Sequence, residues 1–144
     1  MKVEIKETAE LTPAELLTIL KERTKVFVVE QKSPYQEVDD WDNQAIHVMF
    51  WTDNHELAAY ARILNKGDFI SFGRVLVTRT FRKQKLGKKL VQTVLDEINQ
   101  RFPNQLIQIA AQSYLQKFYG SFGFQVSSPE YLEDNIPHIN MILK

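Results

Sequence analysis

The sequence contains no cysteine, which excludes disulfides, thiolate metal ligands and thiol nucleophiles together and suits a reducing compartment. No stretch approaches the ~20 apolar residues that a membrane span requires. Met1–Glu10 alternates apolar and charged residues where a signal peptide would be continuously apolar. A cytoplasmic protein with no membrane partner is therefore expected. Glycine and proline are scarce, five of each in 144 residues, and nowhere do they cluster into a linker, so residues 1–144 are expected to form one domain. Charge of either sign in excess is also missing. Eighteen Lys and Arg balance eighteen Asp and Glu, which removes the global field that would favour nucleic acid. Three dispersed histidines give no zinc spacing, and Asp40-Trp41-Asp42-Asn43 lacks the glycine and closing glutamate of a calcium loop. No metal is expected.

What is present is enough to bury a core: 44% of the residues are hydrophobic and 11% aromatic. Lys2–Lys6 has the alternation of a half-buried strand. Thr12-Pro13-Ala14-Glu15 combines a capping threonine, a first-turn proline and a glutamate three residues after the cap, which predicts a helix start. Leu16, Leu17, Leu20, Thr24, Phe27 and Val28 are expected on its buried face. Residues 31–44 lose the pattern and read as a loop or short irregular helix. Three strands follow as a meander, 45–51, 57–64 and 69–77, with Gly73 marking a bulge or a close approach. Leu86, Leu90, Val91, Val94, Leu95 and Ile98 define an amphipathic helix that ends before Pro103. A strand at 106–110, a short helix at 113–121 and strands at 124–126 and 138–143 complete the order β-α-β-β-β-α-β-α-β-β, a mixed sheet with helices on its faces.

Six basic residues, Arg79, Arg82, Lys83, Lys85, Lys88 and Lys89, lead into the amphipathic helix with no acidic residue before Asp96. A helix N-terminus favours negative charge, so cations gathered there read either as a solvated surface or as an anion site. In the second case phosphate is the natural ligand, held by backbone amides, with Gly87 allowing close approach.

Arg82-Lys83-Gln84-Lys85-Leu86-Gly87, placed after the strand Val75-Leu76-Val77, resembles the pyrophosphate loop Q/R-x-x-G-x-G/A of the GNAT acetyltransferases. Lys85 stands where the pattern has its first glycine; a left-handed backbone would be costly there and a helical one acceptable. Residues 107–110, Gln112 and Phe118-Tyr119-Gly120-Ser121-Phe122-Gly123-Phe124 are similar to the family's later motif, which ends Y-x-x-x-G-F. Arg23–Gln31, Pro34–Asp39, His47, Ala59–Leu64 and Glu133–Ile139 extend the likeness to the ElaA-type branch, which usually has glycine at the positions of Asp40 and Asn135.

The resemblance implies an α/β (α+β) acyl-CoA N-acyltransferase fold, a mixed central sheet with a splayed strand pair flanked by helices. It implies acetyl-CoA as cosubstrate and direct transfer of the acetyl group to a primary amine, on a small molecule or a protein. CoA would lie along Leu76, Val77, Arg82, Lys83, Gln84, Lys85, Leu86, Gly87, Lys88, Gln112 and Tyr119. Tyr119 would protonate the departing thiolate; read without the motif, it is a core aromatic beside Phe118 and Phe122. A backbone amide near Val77 would hold the oxyanion. Glu30, Glu37, Asp39 and His138 are the candidate bases, directly or through water. His47 and His138 also read as satisfied histidines, and the acidic run Glu37–Asp42 as a solvated loop or, with Glu133 and Asp134, as an attractor of cationic amines. Trp41 and Trp51, expected at the surface, could serve an interface such as that of a homodimer, or a substrate wall. The alternative function is a non-catalytic acyl-CoA-binding or partner-binding module, which a plugged acceptor pocket would favour.

Overall fold

A computed structural model describes residues 1–144. Strand β1 (Lys2–Glu7) leads through a short turn of helix to α1 (Pro13–Arg23). The start of α1 is closed as the sequence predicts: Glu15 N donates to Thr12 Oγ1 at 3.1 Å, and Thr12 N donates to Glu15 Oε1 at 2.8 Å. The helix then widens into a π-helical segment, Thr24–Glu30, and its buried face is only partly the one expected. Ile19, Arg23, Val26 and Phe27 are buried, whereas Leu17 is 68% exposed and Thr24 is exposed. A charged residue, Arg23, sits at the centre of the inner face, so an apolar reading takes the wrong phase.

β2 (Ile46–Trp51), β3 (Leu57–Asn65) and β4 (Ile70–Val77) form the expected antiparallel meander beside β1. Helix α2 (Leu86–Arg101) buries the six apolar side chains predicted for it. Leaving water contributes about 1.5–3 kcal/mol for each large aliphatic side chain. β5 (Ile107–Gln112), α3 (Gln116–Gly120), β6 (Gln125–Val126), β7 (Tyr131–Glu133) and β8 (Ile136–Leu143) follow. Strand β7 is an addition to the expected order. It forms a hairpin with β8 through Asp134 and Asn135, both with positive φ (49° and 66°), the backbone that a two-residue turn of this kind demands.

The sheet runs β1-β2-β3-β4-β5-β8-β6, with β7 also on β8. β2 and β3 are buried on both faces. One face packs Ile46, Val48, Phe50, Ala59, Ala61 and Ile63 in a cluster with the α2 side chains; the other packs Met49, Trp51 and Tyr60 with Ile19 and Phe27. Trp51, expected outside, is therefore a core residue at 7% exposure. All other pairings are antiparallel; β4 and β5 run parallel and are paired at one position only, Ile70 with Ile107.

Candidate active site

Beyond Ile70 the strands β4 and β5 part, and the gap between them is the floor of a cleft of about 1010 Å³. A bulge in β4 accompanies the parting. Between Tyr60–Leu76 and Arg62–Gly73 the register slips by one residue, and Arg74 takes φ 50°. The extra residue re-aims the strand, as bulges beside ligand sites do. Gly73 is thus at the bulge that its position in the strand foretold.

Nine of the nominated bases and CoA-contacting residues line this cleft: Glu30, Asp39, Leu76, Val77, Arg82, Gly87, Gln112, Tyr119 and His138. Tyr119 is carried by α3 against Phe72, Phe118 and Phe124 in tilted and edge-to-face contacts with centroids 5.1–6.1 Å apart. Burial raises the phenol pKa, and Tyr114 adds to the effect, so the hydroxyl stays protonated at neutral pH. It is both a core aromatic and a cleft residue; the two readings of the sequence coexist. Gln112 Nε2 donates to Gln31 Oε1 at 3.2 Å, joining the end of β5 to the end of the π-helical segment.

Lys83, Gln84, Lys85 and Lys88 are exposed around the N-terminus of α2, and Leu86 is buried beneath them. Lys83 and Lys85 adopt φ of 73° and 59°. Lys85 thus takes the left-handed backbone of the glycine it replaces, at a cost of about 1–2 kcal/mol, rather than the helical alternative. No side chain caps α2, and its first turn holds no acidic residue. The free amides there remain available to an anion. Arg82 is partly engaged: its Nε donates to Val77 O at 2.9 Å and its guanidinium to Glu30 Oε1 at 2.7 Å.

The candidate bases separate by environment. Glu37 is 4% exposed and is held by Arg23, whose Nε lies 3.0 and 2.9 Å from the two carboxylate oxygens. Arg74 Nε lies 2.5 Å from Glu37 Oε2, an ion contact in which the N–H is not aligned for a hydrogen bond. Asp42 takes two hydrogen bonds from Arg23 and one from Arg62, while Asp39 is bidentate with Arg62. Despite the opposing effect of burial, which is the largest single influence on each, the arginine hydrogen bonds and charges hold both aspartates below the usual carboxylate range. Within the acidic run, Glu37, Asp39 and Asp42 are therefore committed to internal ion pairs, and Asp40 alone stays exposed. Three arginines from α1, β3 and β4 neutralise the paired three from within. Arg62 and Arg74 were not singled out from sequence, although a charge inside a β-rich apolar run is itself the signal of a buried pair.

His138 on β8 is 8% exposed, stacked at 6.2 Å on Tyr131. Its Nδ1 lies 2.7 Å from Ile136 O. A carbonyl only accepts, so Nδ1 carries a proton, and Nε2, on the cleft side, lies 3.6 Å from Glu133 Oε2. His47 is fully buried and fully occupied. Tyr60 Oη lies 2.6 Å from its Nδ1 and Thr8 Oγ1 2.8 Å from its Nε2, and Thr8 donates onward to Asp42 O at 2.5 Å. Burial, helped by the Arg23 charge, lowers the His47 pKa to about 4.

Comparison with known proteins places the fold that carries this cleft. Residues 7–144 match the model described as an acetyltransferase (GNAT) domain. The chain belongs to the GNAT acetyltransferase family. Within it the chain falls in the ElaA branch: Protein ElaA of Escherichia coli is 41% identical over 138 residues, 92% of this chain and 90% of that protein. The crystal structure of E. coli ElaA superposes with a TM-score of 0.95 and 37% identity, each chain covered in full. An acyl-CoA N-acyltransferase from Pseudomonas aeruginosa superposes at 0.93 with 40% identity, covering 98% of this chain and 97% of that one. As a GNAT protein with this fold the chain is an acyltransferase, and no helix in it is long and apolar enough to cross a membrane.

Proposed function

We propose that the protein transfers an acetyl group from acetyl-CoA directly to a primary amine. The observation that carries this reading is the open cleft between β4 and β5, which joins Tyr119, His138, Arg82 and Gly87 in one cavity. A non-catalytic binding module would not need a free proton acceptor and a protonated phenol facing the same space.

In this reading the pyrophosphate of CoA rests on the free amides of α2 with Lys83, Lys85 and Lys88 around it, and Gly87 keeps the floor low. The unpaired edge of β4 from Ser71 to Val77 holds the pantetheine arm, and an amide near Val77 receives the oxyanion. Gln112 and Gln31 can exchange their mutual bond for an amide of the ligand. The amine attacks the thioester carbon, a C–N bond forms and the C–S bond breaks. His138 Nε2 takes the proton released from nitrogen, directly or through a water shared with Glu133, and Tyr119 gives its proton to the thiolate. Glu30 supports Arg82, and Glu37 supports Arg23 and Arg74; both are positioning residues in this scheme.

Titration with acetyl-CoA and CoA, followed by a panel of primary amines with detection of free thiol, tests the proposal. Saturable binding with amine-dependent thiol release is expected. Binding without turnover on any amine would leave the non-catalytic module in its place. Tyr119→Phe is expected to lower kcat by about 100-fold, the low end for general acid catalysis, with CoA affinity unchanged; a comparable loss of affinity would remove Tyr119 as the proton donor.

A further inference from the structure

The charges facing the acceptor part of the cleft are not equally committed. Arg62 and Arg74 are matched by Asp39, Asp42 and Glu37, and Glu30 is matched by Arg82. Lys66, at the turn between β3 and β4, is different. Its Nζ stands 3.7 Å above the centroid of the Trp41 ring, and no carboxylate lies within ion-pair distance of it. Lys66 is partly buried; burial and then the neighbouring Arg62 lower its pKa, and the Asp39 and Glu133 carboxylates oppose this only from beyond ion-pair distance. The indole face fixes its position but does not replace an anion.

The opposite pole lies in the same cleft. His138 Nε2, which accepts when the imidazole is neutral, and the Glu133 carboxylate lie 3.6 Å apart. An amine, with several N–H groups, fits that gap. Trp41, Lys66, Glu133 and His138 all line this one cleft, so a single molecule lying in it can meet both poles.

We propose that the acceptor is a small zwitterion that carries its own carboxylate, bound with the carboxylate on Lys66 above Trp41 and the amine between His138 and Glu133. The inference rests on the acetyltransferase reading of the cleft and adds the class of substrate. A polyamine would bring a second ammonium against Lys66, which has no carboxylate within ion-pair distance. A carboxylate there would instead form a charge-assisted bond to a partly buried cation that has no ion-pair partner.

Matched pairs that differ only in the carboxylate provide the test: phenylalanine with phenethylamine, 4-aminobutyrate with propylamine, and 6-aminohexanoate with pentylamine. Each is titrated calorimetrically into the CoA-saturated protein and then assayed for thiol release with acetyl-CoA. In at least one pair the carboxylate-bearing member is expected to bind at least about tenfold more tightly, the worth of one charge-assisted contact. Lys66→Met should bring that ratio to about one and Lys66→Arg should keep most of it, with CoA affinity reporting that each variant is folded. Equal affinity within every pair, no binding by any member, or a preference that survives Lys66→Met would overturn the proposal. Zwitterion binding without thiol release from any amine would instead overturn the acetyltransferase reading and leave the ligand class standing.

Discussion

Charged residues gather twice in this chain, with opposite outcomes. Arg23, Arg62 and Arg74 meet Glu37, Asp39 and Asp42 in a cluster where Arg23 is fully buried and every carboxylate has a guanidinium partner. The six cations from Arg79 to Lys89 stay largely in solvent, and only Arg79 and Arg82 reach an acidic group, Glu30. The two helix starts differ in the same way: α1 is closed by its own Thr12 and Glu15, whereas α2 is left uncapped with cations around it. A charge cluster completed within the fold shapes the site, and one left incomplete is available to a ligand.

The largest test of that contrast is on the completed side. Arg23→Ala leaves Glu37 and Asp42 short of their main partner in the interior and should cost about 3–5 kcal/mol of stability, read by denaturant unfolding. A loss under about 1 kcal/mol would mean that water already enters the cluster. The same region should respond to acid. His47 is held neutral in the fold, with its pKa lowered to about 4 from 6.5, so the unfolded chain binds a proton between those values and the native one does not. Stability is therefore present in full above pH 6.5 and falls as pH drops towards 4, by an amount of order 3 kcal/mol. Unfolding curves across that range check this, and His47→Gln should flatten them.

On the open side the expected effects are smaller and of another kind. Lys88→Glu should leave thermal stability unchanged and weaken CoA binding about tenfold at low salt, with the difference shrinking at 1 M salt as screening sets in. Unchanged affinity would detach this segment from phosphate binding. Lys85→Gly should stabilise the protein by about 1 kcal/mol, since glycine accepts the left-handed backbone at position 85 without strain; a calorimetric melt reads this directly.

The sequence made some of this legible. The α2 face could be read because its six apolar side chains repeat at three and four residues, and the capping box of α1 because all its members lie within four residues. The inner face of α1 could not, because Arg23 occupies it and its partners are 14 and 19 residues away. Nothing in Thr24–Glu30 marks a π-helical segment, and a strand as short as β7 carries too few residues for a period. The cleft residues taken from motifs came together, Tyr119 and Gly87 among them. Lys66 and Trp41 were harder, since their contact joins a polar turn to a loop without pattern.

The single pairing of Ile70 with Ile107 also bears on how the molecule opens. The meander β1–β4 and the group β5–β8 are each knitted by long antiparallel ladders, but the seam between them is one parallel register position. Amide protons along the seam should exchange with solvent sooner than those inside either group, whose side chains share one core. A ligand lying along the seam would tie the two groups together and slow exchange there, beyond the residues it touches.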